Sequence, residues 1–127
     1  MKAEIICIGT ELLLGQIVDT NAAFLAGELA GLGIDLYHKS TVGDNLERIT
    51  ATLGQAWERS DLLLISGGLG ATQDDLTREA VARLLGEELE FNPEAWEQIV
   101  GYFRKTQRPI QESNRRQAMF PKSARVV

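Results

Sequence analysis

Two short, continuous apolar runs constrain the fold of this chain more than any other feature. EIICIG occupies residues 4–9 and DLLLIS occupies residues 61–66. Such runs lack the polar alternation of a half-exposed strand, so they are typical of strands buried on both faces of a parallel sheet. The more polar run IDLYHKSTV, residues 34–42, predicts a third strand nearer the edge of the same sheet.

Helical patterns separate and follow these strands. Apolar residues recur there every three or four positions, which predicts helices at 21–32, 45–57, 73–85 and 93–103, with a further short helix at 111–119. Strands that alternate with helices favour a three-layer α/β/α domain with a mostly parallel sheet and right-handed crossovers. Trp57 and Trp96 fall on apolar helix faces and are expected in the core.

Size and composition fit a single globular domain over residues 1–127. Apolar residues make up 44% and charged residues 24% of the chain, and no run reaches the ~18 apolar residues of a membrane span. The single cysteine, Cys7, lies in an apolar run and is expected to be buried; with His38 it forms no credible metal set. A cytoplasmic location is expected. The final PKSARVV predicts the entry to a strand, so part of the domain is expected to lie beyond residue 127.

Charge is divided unevenly along the chain. Residues 1–101 hold 6 Lys and Arg against 17 Asp and Glu, a net charge of −11, whereas residues 102–127 hold 7 against 1, a net charge of +6. The basic segment is open to three interpretations: a solvated helix that pairs with the acidic body, a subunit contact, or a phosphate-facing arm. Nucleic acid is disfavoured as a partner because the acidic body would repel it.

Three loops with glycine and carboxylate or amide groups follow the three predicted strands. They are GTELLLGQIVDTN at 9–21, VGDN at 42–45 and SGGLGATQDD at 66–75. Ligands bind outside the carboxyl ends of the strands in an open α/β sheet, so the three loops predict one site. The third loop matches neither a P-loop nor a dinucleotide fingerprint. Its small residues would let backbone N–H groups approach an anion.

The acidic residues beside this loop have two interpretations. Thr72 with Asp75, and Asp44 with Glu47, have the spacing of a capping box, and an acid in a first turn contributes roughly 0.3–1 kcal/mol. A cap needs only one aspartate, however, while four carboxylates approach this edge: Glu11, Asp44, Asp74 and Asp75. Clustered oxygens suit a divalent cation such as Mg²⁺ or Mn²⁺, placed between the carboxylates and a pyrophosphate.

The same three loops, together with NRRQAMFPKSARVV, resemble the MoaB/Mog-like molybdopterin-binding domain, and most closely the version at the N-terminus of the CinA family of competence/damage-inducible proteins. The resemblance covers all 127 residues. It implies a self-associating domain with divalent-metal-dependent (Mg, Mn or Co) hydrolysis of ADP-ribose and related nucleotide pyrophosphates. Relatives in molybdenum cofactor synthesis bind pterin and adenylylate it, so a pterin- or nucleotide-binding module without turnover is the alternative, and a scaffold that uses the basic segment is a third.

The resemblance also implies roles for individual residues. Asp75 and Asp44 would be catalytic, and Glu11, Asp74 and Asp75 would hold the metal. Substrate contacts are expected from Thr10, Asn21, Asn45, Ser66, Gly67, Gly68, Gly70, Thr72 and Arg116. Leu69 replaces the threonine of the pterin-binding pattern and Ala71 replaces a frequent proline. The family's later Gly-Thr-Ala-Pro-Gly loop does not occur in these 127 residues, so a folded but inactive chain is an open alternative.

Overall fold

A parallel three-stranded sheet organises the computed structural model, which describes residues Met1–Val127. Its strands are β1 (Lys2–Ile8), β2 (Asp35–Val42) and β3 (Leu62–Ser66), in the order β2-β1-β3. Ile8 pairs with Val42 and Cys7 pairs with Ser66, so the carboxyl ends of all three strands are level. The predicted α/β fold with a parallel sheet is confirmed, with each strand within two residues of its predicted start.

The central strand β1 supplies two cores, one on each face of the sheet. Ile6 and Ile8 face a cluster that contains Ile49 and Leu53. Ile5 and Cys7 face the opposite way, into a second cluster with Ala22 and Leu29. Successive strand residues point to opposite faces, so a run that is apolar at every position needs a helical layer on both sides. Cys7 is buried, as predicted.

Five α-helices surround and extend the sheet: α1 (Thr10–Leu13), α2 (Thr20–Gly31), α3 (Leu46–Arg59), α4 (Thr77–Leu85) and α5 (Pro93–Lys105). Side-chain caps define three of their starts, because Asp19, Asn45 and Asn92 each accept a hydrogen bond from a backbone N–H three residues later. None of the helices is both long and apolar enough to span a membrane.

Helix α4 begins four residues later than its pattern predicts. The expected start was residue 73, but helical hydrogen bonding begins where Ala80 N–H donates to the carbonyl of Leu76. Before that point the chain is closed into a turn, because Asp75 N–H donates to the Thr72 carbonyl at 3.2 Å and Asp75 accepts bonds back from Thr72. The interpretation of Thr72 and Asp75 as a helix capping box was therefore wrong.

The second half of the chain departs most from expectation. Residues 111–119 were expected to form a helix, and they contain a 3₁₀ helix at Glu112–Ala118. It leads into β5 (Met119–Pro121), which pairs antiparallel with the unpredicted strand β4 (Leu89–Phe91). Trp57 is 58% exposed, so its assignment to the core was wrong. Trp96 is half-buried against Phe91, with ring centroids 6.2 Å apart.

Candidate functional site

The loops after β1 and β2 are joined at the carboxyl edge of the sheet. Thr10 Oγ1 accepts a hydrogen bond from Asp44 N–H at 3.0 Å, and Asp44 Oδ2 accepts one from Thr10 N–H at 3.4 Å. Helix α3 is capped instead by Asn45, whose Oδ1 accepts from Arg48 N–H. The capping interpretation of Asp44 was therefore wrong, and its carboxylate braces the first loop.

A second contact joins the loops after β1 and β3. Asn21 Nδ2, on the first turn of α2, donates to Ser66 Oγ at 3.2 Å. Both residues line a small cleft of about 200 Å³ together with Glu11 and Gly67. Glu11 lies in α1 and folds back over Gly9, where an added Cβ would lie 2.5 Å from Glu11 Oε1. The expected convergence of the first and third loops is thus present in the geometry.

The glycines at the start of the third loop are required by space as well as by backbone conformation. Gly67 and Gly68 have φ values of +92° and +66°, in the left-handed region that glycine favours. A Cβ on Gly67 would collide with the carbonyl oxygen of Ile8, and one on Gly68 would collide with Thr77 Oγ1. The loop therefore lies directly against β1 and the start of α4.

Four successive carbonyls of this loop are bound by two residues of α4. Thr77 donates from Oγ1 to the carbonyl of Gly67 at 2.6 Å and from its N–H to that of Gly68 at 3.2 Å. Arg78 donates from Nη1 to the carbonyl of Leu69 at 2.6 Å and from Nη2 to that of Gly70 at 2.7 Å. Both α4 residues are 97% buried. Neither role was predicted, because TRE at a helix start is indistinguishable in sequence from a solvated first turn.

Asp75 is bound within the same loop. Its Oδ2 accepts hydrogen bonds from the N–H and the hydroxyl of Thr72, at 2.9 and 2.7 Å. Burial of the carboxylate raises its pKa, but the bonds from Thr72 and from the backbone of Gly70 outweigh burial, so the pKa of Asp75 is held below its usual value. This aspartate therefore lies beside the glycines as an internal acceptor for loop N–H groups.

The remaining expected residues are exposed or bonded to other groups. Asp74 is exposed, and Asn45 is engaged as the cap of α3. Arg116 Nη2 donates to Glu79 Oε1 at 2.9 Å, which fits the interpretation of the basic segment as a partner of the acidic body. Arg115 lies over the Phe91 ring, 4.5 Å from its centroid.

A metal centre built by the chain alone does not fit these positions. No three side chains among the His, Cys, Asp and Glu residues lie close enough together to hold a metal ion. The three expected ligands do not share a position. Glu11 lies over Gly9, Asp74 is exposed, and Asp75 binds Thr72. Any cation at this edge would need oxygens from the ligand as well.

The largest cleft lies away from these carboxylates. It measures about 540 Å³ and is formed by α5, the loop residue Leu69, Arg78 and the last three residues of the chain. Its wall is mainly apolar, with Ile99, Phe103 and Phe120 among its members. Residues predicted for the site, Glu11, Asn21, Ser66 and Gly67, meet instead at the smaller cleft, which Asp19 also lines, so we place the candidate site there.

The family of the chain follows from a match to a family model. The model described as "Probable molybdopterin binding domain" matches residues 4–124. The chain belongs to this family. A crystal structure of CinA from Thermoplasma acidophilum superposes with a TM-score of 0.87 at 34% identity, and covers 98% of this chain and 73% of that one. The resemblance to the CinA family is therefore confirmed.

Other relatives of this molybdopterin-binding-family domain support the same family assignment. Proteins named competence-damage inducible protein are 50% identical over 127 residues in Symbiobacterium thermophilum and 51% identical over 126 residues in Halalkalibacterium halodurans. The chain spans about 30% of the length of these curated relatives. The molybdopterin biosynthesis enzyme MoaB from Thermus thermophilus has a TM-score of 0.63 at 28% identity, covering 68% of this chain and 56% of that one.

Proposed function

We propose that this domain binds a nucleotide pyrophosphate such as ADP-ribose at the carboxyl edge of its sheet and hydrolyses it. The observation that carries the proposal is the cleft in which Glu11, Asn21 and Ser66 meet the left-handed Gly67. Backbone N–H groups in a left-handed glycine turn form a concave site suited to phosphate oxygens. Hydroxyl and amide groups beside them suit the ribose and the second phosphate.

Asp44 is the proposed group that accepts a proton during hydrolysis. One of its oxygens is held by Thr10 N–H and the other has no hydrogen bond from the protein. In the proposed reaction a water oxygen attacks one phosphorus and the bond from that phosphorus to the bridging oxygen breaks. Asp44 takes a proton from the water, and the leaving phosphate carries the electron pair of the broken bond. The products from ADP-ribose are AMP and ribose 5-phosphate.

A divalent cation, Mg²⁺, Mn²⁺ or Co²⁺, enters this proposal as the counter-ion of the substrate. Magnesium is commonly held by one or two carboxylates together with substrate phosphates, rather than by a cage of protein ligands. That arrangement agrees with a chain whose own carboxylates form no metal-binding group. It also answers the repulsion expected between a pyrophosphate and the acidic residues at this edge.

Binding of a pterin or nucleotide without turnover is the second candidate function. It is favoured by Asp75, an expected catalytic residue whose Oδ2 is occupied by Thr72. The match to a probable molybdopterin-binding domain and the likeness to a MoaB enzyme also favour it. The two candidates share a site and differ in whether a bond is broken.

One experiment separates the two candidates. The protein in its full natural length is titrated calorimetrically with ADP-ribose and with a pterin, with and without each cation, and AMP release is measured in parallel. AMP release that depends on the cation, and is lost in Asp44→Asn, supports hydrolysis. Binding of either ligand without AMP release supports the binding module. If neither ligand binds, both candidates are rejected.

A further inference from the structure

We propose that Arg78 is a positioning residue that, with Thr77, orients the glycine loop so that its N–H groups can hold a phosphate. The inference rests on the proposed phosphate-binding function and extends it to two α4 residues that lie behind the loop. Neither residue was expected from the sequence to take part. Together the two residues bind four successive carbonyls of the loop.

The orientation of the loop N–H groups follows from peptide geometry. In a planar trans peptide, the carbonyl of one residue and the N–H of the next point in opposite directions, and the chain contains no cis peptide. The carbonyls of residues 67, 68, 69 and 70 all point toward Thr77 and Arg78. The N–H groups of Gly68, Leu69, Gly70 and Ala71 therefore all point away from α4.

Part of this N–H face is left for a ligand. Asp75 engages the N–H of Thr72 and the backbone of Gly70. The N–H groups of Gly68, Leu69 and Ala71 donate to no acceptor in the protein. Three donors on one side of a short loop match the several oxygens of a phosphate. Asp75 thus completes one end of the face while the other end remains open.

The chemistry of the arginine side chain explains why this residue suits the role. A guanidinium group is planar and rigid, so its two Nη atoms can bind two successive carbonyls at once, here at 2.6 and 2.7 Å. Its Nε is buried without a hydrogen-bond partner, which costs stability. An apolar side chain of similar volume would avoid that cost but would leave the carbonyls of Leu69 and Gly70 without these donors. The orientation of the loop is the function that the buried charge serves.

The test compares substitutions at this position in the protein of full natural length. Arg78→Met removes both donors at similar volume, and Arg78→Lys keeps the charge but offers one compact donor group in place of the fork. Arg83→Met is the control, because Arg83 is on the same helix, half-exposed, with only a 3.9 Å ion pair to Glu47. Calorimetry with ADP-ribose and Mg²⁺ measures affinity, with every protein carrying Asp44→Asn so that the ligand is not hydrolysed. Hydrogen exchange measures the bonded amides of Thr72, Asp75 and Thr77.

The expected result is a local change with loss of affinity. In Arg78→Met, the backbone amides of residues 66–78 should exchange at least tenfold faster while the exchange rates in β1 stay unchanged. The Kd for ADP-ribose should rise at least tenfold. The exchange rate and Kd of Arg78→Lys should lie between those of Arg78→Met and the unmodified protein. Both values in Arg83→Met should equal those of the unmodified protein. The positioning role is overturned if Kd is unchanged in a folded Arg78→Met protein, or if Arg78→Lys binds ADP-ribose as tightly as the unmodified protein.

Two further outcomes can be distinguished: a variant that does not fold, and an unmodified protein that does not bind ADP-ribose. If Arg78→Met does not fold, Thr77→Val decides, because it removes the hydroxyl donor to Gly67 and keeps the N–H bond to Gly68; a Kd raised three- to tenfold supports the proposal and an unchanged Kd overturns it. If the unmodified protein binds no ADP-ribose, the proposed function fails. Exchange over residues 66–78 then shows whether Arg78 orders the loop at all.

Discussion

Asp75 accepts two hydrogen bonds from Thr72, one from the backbone N–H at 2.9 Å and one from the hydroxyl at 2.7 Å. The two residues close the turn between the glycine loop and α4. The carboxylate therefore already accepts the hydrogen bond that the Thr72 N–H can donate. A phosphate at this loop must use the other N–H groups, which places it beside Asp75 and makes a counter-ion useful.

Asp75→Asn should lower stability at neutral pH. An amide oxygen accepts more weakly than a carboxylate, so we expect a loss of about 1–2 kcal/mol in the free energy of unfolding. This differs from the result expected for a cluster of repelling carboxylates, where removal of a charge would leave the protein equally or more stable. Urea denaturation of both proteins at pH 7 measures the difference.

The same comparison has a defined pH dependence. The pKa of Asp75 is lower in the folded protein than its ordinary value, so its contribution is fully present above the unfolded pKa of about 3.9 and is lost as pH falls through the lower folded pKa. The stability difference from Asp75→Asn should therefore be constant between pH 5 and 7 and shrink below pH 4. A difference that grows on acidification would contradict the assignment.

Gly67→Ala should be among the most damaging single substitutions in the chain. The new methyl group would collide with the carbonyl oxygen of Ile8 in the central strand, at a φ of +92°. We expect a loss of about 3 kcal/mol or more. Gly27→Ala in α2 is the matched control: nothing lies within 4 Å of its added Cβ, so it should gain about 0.5–1 kcal/mol. Thermal melts of the two variants should shift in opposite directions.

The sheet could be predicted because its sequence pattern has one physical solution. A strand such as β1, apolar at nearly every position, must be covered on both faces, and the helical patterns between the strands supply that cover. Strands β4 and β5 have three residues each. Their pairing comes from contacts that are remote in sequence, which local patterns cannot indicate. The exposure of Trp57 likewise depends on which residues, remote in sequence, pack against it.

The site could be predicted by location but only partly by residue. The rule that ligands bind beyond the strand ends placed the three loops together, and the Asn21–Ser66 and Thr10–Asp44 contacts agree with it. The role of Arg78 was missed because bonds from a side chain to backbone carbonyls leave no pattern in the sequence. The capping assignments failed because the neighbouring Asn45 caps α3 and because α4 begins beyond the Thr72–Asp75 turn, and spacing alone indicates neither.

The buried carboxylate Glu4 should make the protein sensitive to loss of Arg59. Glu4 is fully buried and accepts from Arg59 Nε and Nη2, at 3.0 and 2.6 Å, and from Ser60. Arg59→Met would leave that charge without its main partner; since the Arg59 side chain is 43% exposed, we expect a measurable loss in the free energy of unfolding, below the range for fully buried pairs. Arg48→Met, on the same helix without an ion pair, should change stability by less than ~0.5 kcal/mol.

Acid should reduce the effect of Arg59→Met. The hydrogen bond from Arg59 holds the pKa of Glu4 below its usual value despite burial. Its contribution is present above the unfolded pKa of about 4.3 and is lost as pH falls through the lower folded pKa. Denaturation at pH 7 and pH 3 should therefore show a smaller difference at the lower pH, and the double variant Glu4→Gln with Arg59→Met should recover part of the loss at pH 7. Equal losses at both pH values would exclude the ion pair as the cause.

We propose that the protein forms homo-oligomers through apolar contacts. Five large apolar side chains between residues 13 and 24 are more than half exposed: Leu13, Leu14, Ile17, Val18 and Phe24. Exposed apolar residues at this density are typical of interaction surfaces. Light scattering should give at least twice the mass of one chain, little affected by salt, and Val18→Asp should lower it. A mass that falls to that of one chain in high salt would point to the basic segment instead.

Asp44 and Asn45 are neighbours with different expected effects on stability. Asn45 Oδ1 caps α3 through Arg48 N–H, so Asn45→Ala should cost about 1 kcal/mol. Asp44 makes a long 3.4 Å bond to Thr10 N–H, and an asparagine amide oxygen can accept the same bond, so Asp44→Asn should change stability by less than ~0.5 kcal/mol. Hydrolysis of ADP-ribose should instead fall at least a hundredfold in Asp44→Asn, since an amide cannot take a proton from the attacking water. Denaturation curves and AMP release on the same preparations give both quantities. Near-normal hydrolysis in a folded Asp44→Asn protein would leave Asp44 as a brace for the first loop and exclude it as the group that takes the proton.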